Sequence, residues 1–281
     1  MPLLYTHTRF ANKCFELLQD EYKEIVKNNY LYFIYGAQGP NILNYHSPLT
    51  NKKYIEKSNT IHNNQIAITL KTIKNIFKDC KNRDSVLAYS LGYISHYILD
   101  TYINSYLEKS STILKININS LKNEIERYYL KRDEIEINNV LKEFKYTKTV
   151  DKLIAKIFSI PEKDIKQSIS NMIQYSRIIY TKNNLIIKYL PKFLKIIHLN
   201  KYISYFVYHI NGNHPAQILR IAKYFEISKY HYQLLSQNFI DYIFNDIPLN
   251  EYFLNSFNHK NNSTVLSFDE EKKYIINDFN K

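Results

Sequence analysis

A chain of 281 residues with only four glycines has few places where its backbone can turn sharply. Glycine reaches left-handed conformations without steric cost, and proline, the other turn-former, occurs only seven times. Sandwiches and barrels need such turns at short intervals, whereas helices joined by short polar loops do not. The expected fold is therefore an all-α multi-helix bundle. The length can enclose a substantial core. A hydrophobic share of 45% with 23% charged residues is an ordinary globular balance rather than a disordered one. No internal repeat and no Pro-, Gly- or Ser-rich linker divides the chain, so residues 1–281 read as one domain.

Apolar spacing places the helices. Phe10, Cys14, Leu17 and Leu18 predict a first helix over about 8–18. An apolar run at 30–35 leads into Gly36 and Gly39, where the backbone is expected to do something unusual. A polar stretch follows from 47 to 58, and Ile66, Leu70, Ile73 and Phe77 share one face of a helix predicted over 61–80. The strongest pattern spans 84–108, with Asp84 or Ser85 as its cap. Its stripe of Ala88, Leu91, Gly92, Leu99 and Ile103 is apolar except for Ser95, His96 and Asp100. Helices follow over 121–130 and from Asp133 to about 144. At least six more helical segments are expected beyond 148, including one over 216–225, and 259–267 reads as a polar loop.

Composition excludes more than it selects. A formal charge of +12 admits nucleic acid, an anionic membrane surface or a phosphorylated substrate. The basic residues are scattered without a run of five, as on a solvated lysine-rich surface, and no nucleic-acid motif is present. Cys14 and Cys80 lack metal-binding spacing and are expected as buried free thiols. The N-terminus lacks a basic segment followed by an apolar one, and no apolar run approaches about 20 residues. Neither a signal peptide nor a transmembrane helix is expected, and the expected location is cytoplasmic.

His96 and Asp100 are four residues apart, so on a helix their side chains lie one above the other. That geometry suits two ligands of one metal ion, or equally a structural histidine held by a carboxylate. His7 before the first helix, Asn41 after the glycine turn and His62 near the start of the second join them as candidates. Histidines and carboxylates from several helices are how bundles build metal sites. His46 follows Tyr45 in a loop and matches no expected ligand, His198, His209 and His214 read as structural or exposed, and Glu124 and Glu126 fall on different helix faces.

In order along the chain, Thr6-His7 with Arg9-Phe10, then Gln38-Gly39-Pro40-Asn41-Ile42, then Ile61-His62 are followed by the segment at 87–100, Leu-Ala-Tyr-Ser-Leu-Gly-Tyr-Ile-Ser-His-Tyr-Ile-Leu-Asp. With the Arg-Tyr-Tyr-Leu-Lys-Arg-Asp segment at 127–133, this series resembles the zinc-dependent phospholipase C family, in particular its signal-less clostridial-type members. The resemblance covers 1–133, a phospholipase C-like metal-site core; 134–281 would be a helical half without clear resemblance. It implies zinc, with His62, His96 and Asp100 holding one ion and His7 a second that Asp100 bridges. Asn41 stands where the family has an aspartate. Asn104, Ile118 and Lys122 stand where it has the ligands of a third ion, so one or two ions at most, or none, are expected. An amide oxygen is a weak zinc ligand, and Lys122 would instead pair with a carboxylate such as Asp100 or Glu126, or bind a substrate phosphate.

Three readings follow. The first is a phospholipase C-like hydrolase of a phospholipid or other phosphodiester, with His7, Asn41, His62, His96 and Asp100 at the metal, Asp100 as bridge or base, and peripheral contact with an anionic membrane surface. The second is a non-catalytic relative that binds a phosphate-bearing headgroup or a protein partner. The third, a nucleic-acid binder, ranks last.

Overall fold

The computed structural model describes residues 3–47, 52–196, 198–208 and 214–258. Among them the chain is helical throughout, without a β-strand; one antiparallel bridge joins Gln65 to Ser256. The helices are α1 (Leu4–Phe15), α2 (Asp20–Asn28), α3 (Tyr30–Gln38), α4 (Lys53–Asn63), α5 (Ile66–Asp79) and α6 (Arg83–Leu114). They continue as α7 (Ile118–Arg132), α8 (Ile137–Glu143), α9 (Lys148–Phe158), α10 (Glu162–Ile179), α11 (Asn184–Ile196) and α12 (Pro215–Asn245). Short 3-10 helices occupy Gly39–Tyr45, Asn200–Tyr205 and Glu251–Leu254.

α6 is the axis. Its residues from Ser85 to Thr101 are buried without interruption, so it is covered on all sides over that length. α1, α2, α3, α5, α7 and α12 pack against it. The approach of α3 is unusually close, and glycine is the reason. A Cβ on Gly36 would lie 2.1 Å from Tyr89 O, and one on Gly92 would lie 2.0 Å from Phe33 O. Gly36 is therefore not a turn but the contact point inside α3.

Several boundaries differ from those expected. The helix expected over 61–80 is two, broken at Asn64 and Gln65, and the chain is already helical from Lys53. His62 thus ends α4 rather than starting a helix. The long helix is capped by the Asn82 side chain, which accepts from the Ser85 amide at 3.4 Å, not by Asp84 or Ser85. Asp133 opens no helix; it pairs with Arg9 and accepts from Tyr5 Oη at 2.8 Å, while α8 begins at Ile137. The helix expected over 216–225 runs on to Asn245. Cys14 is a buried free thiol and Cys80 a half-buried one. The polar segment 259–267 lies outside the described residues, as does His209. No described helix is long and apolar enough to cross a membrane.

Candidate metal centre

α6 contributes His96 and Asp100, stacked one turn apart by the helix repeat. α1 contributes His7, and the last turn of α4 contributes His62. All four side chains are buried or nearly so. Asp100 Oδ2 faces both His96 Nε2 (3.4 Å) and His62 Nε2 (3.6 Å), and those two nitrogens lie 3.5 Å apart. Asp100 Oδ1 faces His7 Nε2 at 3.4 Å. The ligand atoms of His7, His96 and Asp100 all lie within 4.8 Å of one another.

Backbone carbonyls fix what each ring can do. His96 Nδ1–H donates to Ala37 O at 3.0 Å, and His62 Nδ1–H donates to Ser58 O at 2.8 Å. A carbonyl can only accept, so the proton of each neutral ring sits on Nδ1 and the Nε2 lone pair points inward. Burial, opposed by the Asp100 carboxylate, pushes His96 well below the usual histidine range and keeps it neutral. Burial likewise lowers His7 to about 4 against Asp100, with Lys122 and His62 adding to the fall. Burial raises Asp100, but the surrounding His96, His62 and His7 outweigh it and hold the carboxyl below its usual range. In these tautomers two imidazole nitrogens and one carboxylate oxygen, all buried, turn their lone pairs toward one another. Such a cluster is costly unless a cation completes it.

The spacing fits one. Zinc bonds of about 2.0–2.1 Å to nitrogen or oxygen in a tetrahedron place neighbouring ligand atoms roughly 3.3–3.4 Å apart. The triangle His62 Nε2, His96 Nε2, Asp100 Oδ2 has edges of 3.4, 3.5 and 3.6 Å, one face of such a tetrahedron. Its Nδ1 donations to carbonyls are the outer hydrogen bonds that orient metal-bound histidines. His7 stands apart in one respect: its Nδ1 is buried and without a hydrogen-bond partner.

The frame around the cluster comes largely from residues that carry no metal-ligand signal. Gly39 has φ +52°, and a Cβ there would lie 2.5 Å from His96 Cδ2, so the backbone passes directly against that ring. Gln38 Nε2 donates to Leu4 O (3.2 Å) and Thr8 Oγ1 (3.1 Å), tying α3 to α1. Ser58 Oγ donates to Pro40 O at 3.0 Å, tying α4 to the first 3-10 helix. Buried Glu126 of α7 accepts from the amides of Tyr5 (2.6 Å) and Thr6 (3.0 Å) and from the hydroxyls of Thr6 and Tyr180. A carboxylate on the first amides of α1 meets the positive end of that helix and sets where His7 projects. From the far end of the chain, Phe257 covers the rings of His62 (5.0 Å) and His96 (5.7 Å), while its amide donates to His62 O at 3.1 Å.

Comparison with family models, with curated proteins and with solved structures finds no match.

The other expected residues fall as follows. Asn41 lies half-buried in the first 3-10 helix, and its Oδ1 accepts from Asn44 at 3.4 Å; no contact with the histidine–aspartate cluster is described. Lys122 is half-buried on α7, its charge felt by both Asp100 and His7. Burial pulls its ammonium below the usual lysine value, against Asp100 and Glu108. Glu126 is engaged by α1 and Tyr180 rather than by Lys122. Asn104 bonds to Asn258, and Ile118 opens α7. His198 is exposed. His46 is not idle, since its Nε2 lies 3.5 Å from Asp164 and its ring packs on Tyr54. His214 Nδ1 lies 2.7 Å from Glu124 Oε1, joining the start of α12 to α7.

Proposed function

We propose that this protein is a phospholipase C-like hydrolase of phosphodiesters with a reduced metal site, one or two zinc ions held by His62, His96, Asp100 and His7. The observation that carries this reading is the triangle of inward-facing Nε2 and Oδ2 atoms, spaced as one tetrahedral face. Three protein ligands would hold such an ion, the number typical of catalytic rather than structural zinc. A divalent cation held there supplies Lewis-acid polarisation of a phosphoryl oxygen and acidifies a water. The chain's own residues do the rest. Asp100 offers Oδ2 to one side and Oδ1 to His7 on the other, the layout of a bridging carboxylate. His62 and His96 are fixed in tautomer and direction before anything binds, so little reorganisation accompanies binding. Lys122 supplies positive charge beside Asp100, where a phosphate oxygen can meet it as a point charge.

A second reading has its own support in the same residue. A lysine at a place that the phospholipase C resemblance gives to a metal ligand favours a non-catalytic protein that binds a phosphate-bearing headgroup without cleaving it.

Two measurements separate them. Elemental analysis of purified protein should find about one to two zinc per chain. Hydrolysis of a chromogenic phosphocholine ester should be lost in chelator and in Asp100→Asn. Zinc at that stoichiometry without hydrolysis would favour the second reading, and a protein that takes up no zinc would remove the first.

A further inference from the structure

α11 carries its apolar residues on the wrong side for a helix of a packed bundle. Leu185, Tyr189, Phe193 and Ile196 are 66%, 53%, 55% and 75% exposed. At 100° per residue these four fall within an arc of about 80°. They are not the face by which α11 docks. Pro191, the one buried residue of the helix, and half-buried Ile187, Leu190 and Leu194 lie roughly opposite. Lys188, Lys192 and Lys195 form a second stripe, within about 60°, directly beside the exposed apolar one. No acidic residue interrupts the helix. The ammonium groups of Lys188 and Lys192 lie 5.4 and 5.8 Å from the Tyr189 ring centre, level with the aromatic band rather than away from it.

We infer that α11 is an interfacial helix that lies in the plane of an anionic lipid surface, its Leu185–Tyr189–Phe193–Ile196 stripe in the acyl boundary and its lysines on the lipid phosphates. Thirteen residues of helix span about 20 Å, too short to cross a bilayer but suited to lying along one. Charge decides between occupants. A continuous apolar stripe edged only by cations complements a sheet of anionic headgroups, whereas a second copy of this chain, at +12, would bring like charge. Lysine stems that keep their ammonium at the level of a tyrosine ring have the posture of residues at a headgroup boundary.

The helix is also connected to the metal cluster. α11 packs on the 3-10 helix Asn200–Tyr205. That segment is gripped by α7, where Asn123 Nδ2 donates to Ser204 O (2.7 Å) and Phe206 O (3.0 Å). The preceding residue, Lys122, is near enough for its charge to act on Asp100. α7 therefore touches both the segment beneath α11 and the surroundings of the cluster. Surface binding itself does not rest on the hydrolase reading.

The test is flotation of the full chain, kept in chelator, with phosphatidylcholine vesicles holding about one-third phosphatidylserine and with phosphatidylcholine alone. Wild type should float with the anionic vesicles at least about tenfold more than with the neutral ones, and half-molar salt should reverse this. The triple variant Lys188→Glu, Lys192→Glu, Lys195→Glu should lose vesicle binding while its thermal midpoint is unchanged. Phe193→Ser should weaken binding about tenfold. Binding that survives both variants, or no binding to either vesicle, overturns the inference. So does a concentration-dependent dimer, detected by sedimentation and abolished by Phe193→Ser, without lipid binding. Because no metal is present, failure here leaves hydrolysis of the soluble ester as a separate question.

Discussion

α6 and α11 are opposite exceptions to the rule that apolar groups go inside. α6 buries His96 and Asp100 in a face otherwise made of Leu, Ile, Ala, Gly and Ser95. α11 leaves five large apolar side chains exposed, four of them in one stripe beside three lysines. Each arrangement is unfavourable as it stands, one through unpaired buried acceptors and the other through exposed apolar surface. Each would be relieved by a ligand of the matching kind, as proposed above: a cation for α6 and a lipid surface for α11. The shared lesson is that burial departures of opposite sign are the places to look for what the folded chain binds.

The largest way to break the comparison is to separate α6 from its partners. Gly92→Val would put side-chain atoms where a Cβ alone already meets Phe33 O at 2.0 Å. The cost should be about 3 kcal/mol or more, read as a fall in the urea midpoint. The equivalent insult on α11 has no counterpart, because none of the described residues covers its outer face.

Next comes the ligand dependence of the α6 face. Zinc at roughly one hundred times its dissociation constant should raise the unfolding free energy by about 2.7 kcal/mol. Asp100→Asn should abolish that gain and weaken zinc binding by at least about one hundredfold, measured by competition with a chromogenic chelator. An unchanged zinc affinity in this variant would remove Asp100 from the centre.

Glu126→Gln is smaller. It keeps the shape but removes the charge from the first amides of α1, and should cost about 1–2 kcal/mol in urea unfolding. Zinc affinity should fall by no more than about tenfold, because His7 is mispositioned rather than removed.

Smaller again is the acid limb. Burial raises the Asp133 carboxyl, but Arg9 and Tyr5 outweigh it and hold it below the ordinary aspartate value. A depressed folded pKa contributes stability above the unfolded pKa and loses it as pH falls through the folded one. Asp133→Asn should therefore cost stability at neutral pH and flatten the loss of stability below about pH 4, followed by thermal midpoint against pH. Smallest of all, Phe193→Ser on α11 should change stability by less than about 0.5 kcal/mol, since that ring has few neighbours to lose.

How much of this was legible depended on range. The stripe on α6 could be read because helical periodicity is local, and it brought Ser95, His96 and Asp100 to one face without any knowledge of the fold. The break at Asn64 was hidden because apolar residues on both sides keep a helical rhythm, while the chain bends to meet Ser256 and Asn255 from the far end. Glu126 was judged by its distance from Glu124 along one helix; its actual partners are amides of α1 and a tyrosine of the C-terminal half. Phe257 offered no signal, since a phenylalanine near a polar segment looks the same whether or not it covers two imidazoles.

By itself, then, the sequence determined the helical class, the α6 axis and the identities of His7, His62, His96 and Asp100 as candidates, because composition and period act over one or two turns. Only the tertiary structure decided that three Nε2 atoms converge on one carboxylate, that Asn41 has no described part in the cluster, and that α11 shows its apolar stripe to solvent. Those outcomes depend on which faces meet, and apolar period is the same whether a face is covered by protein, by lipid or by water.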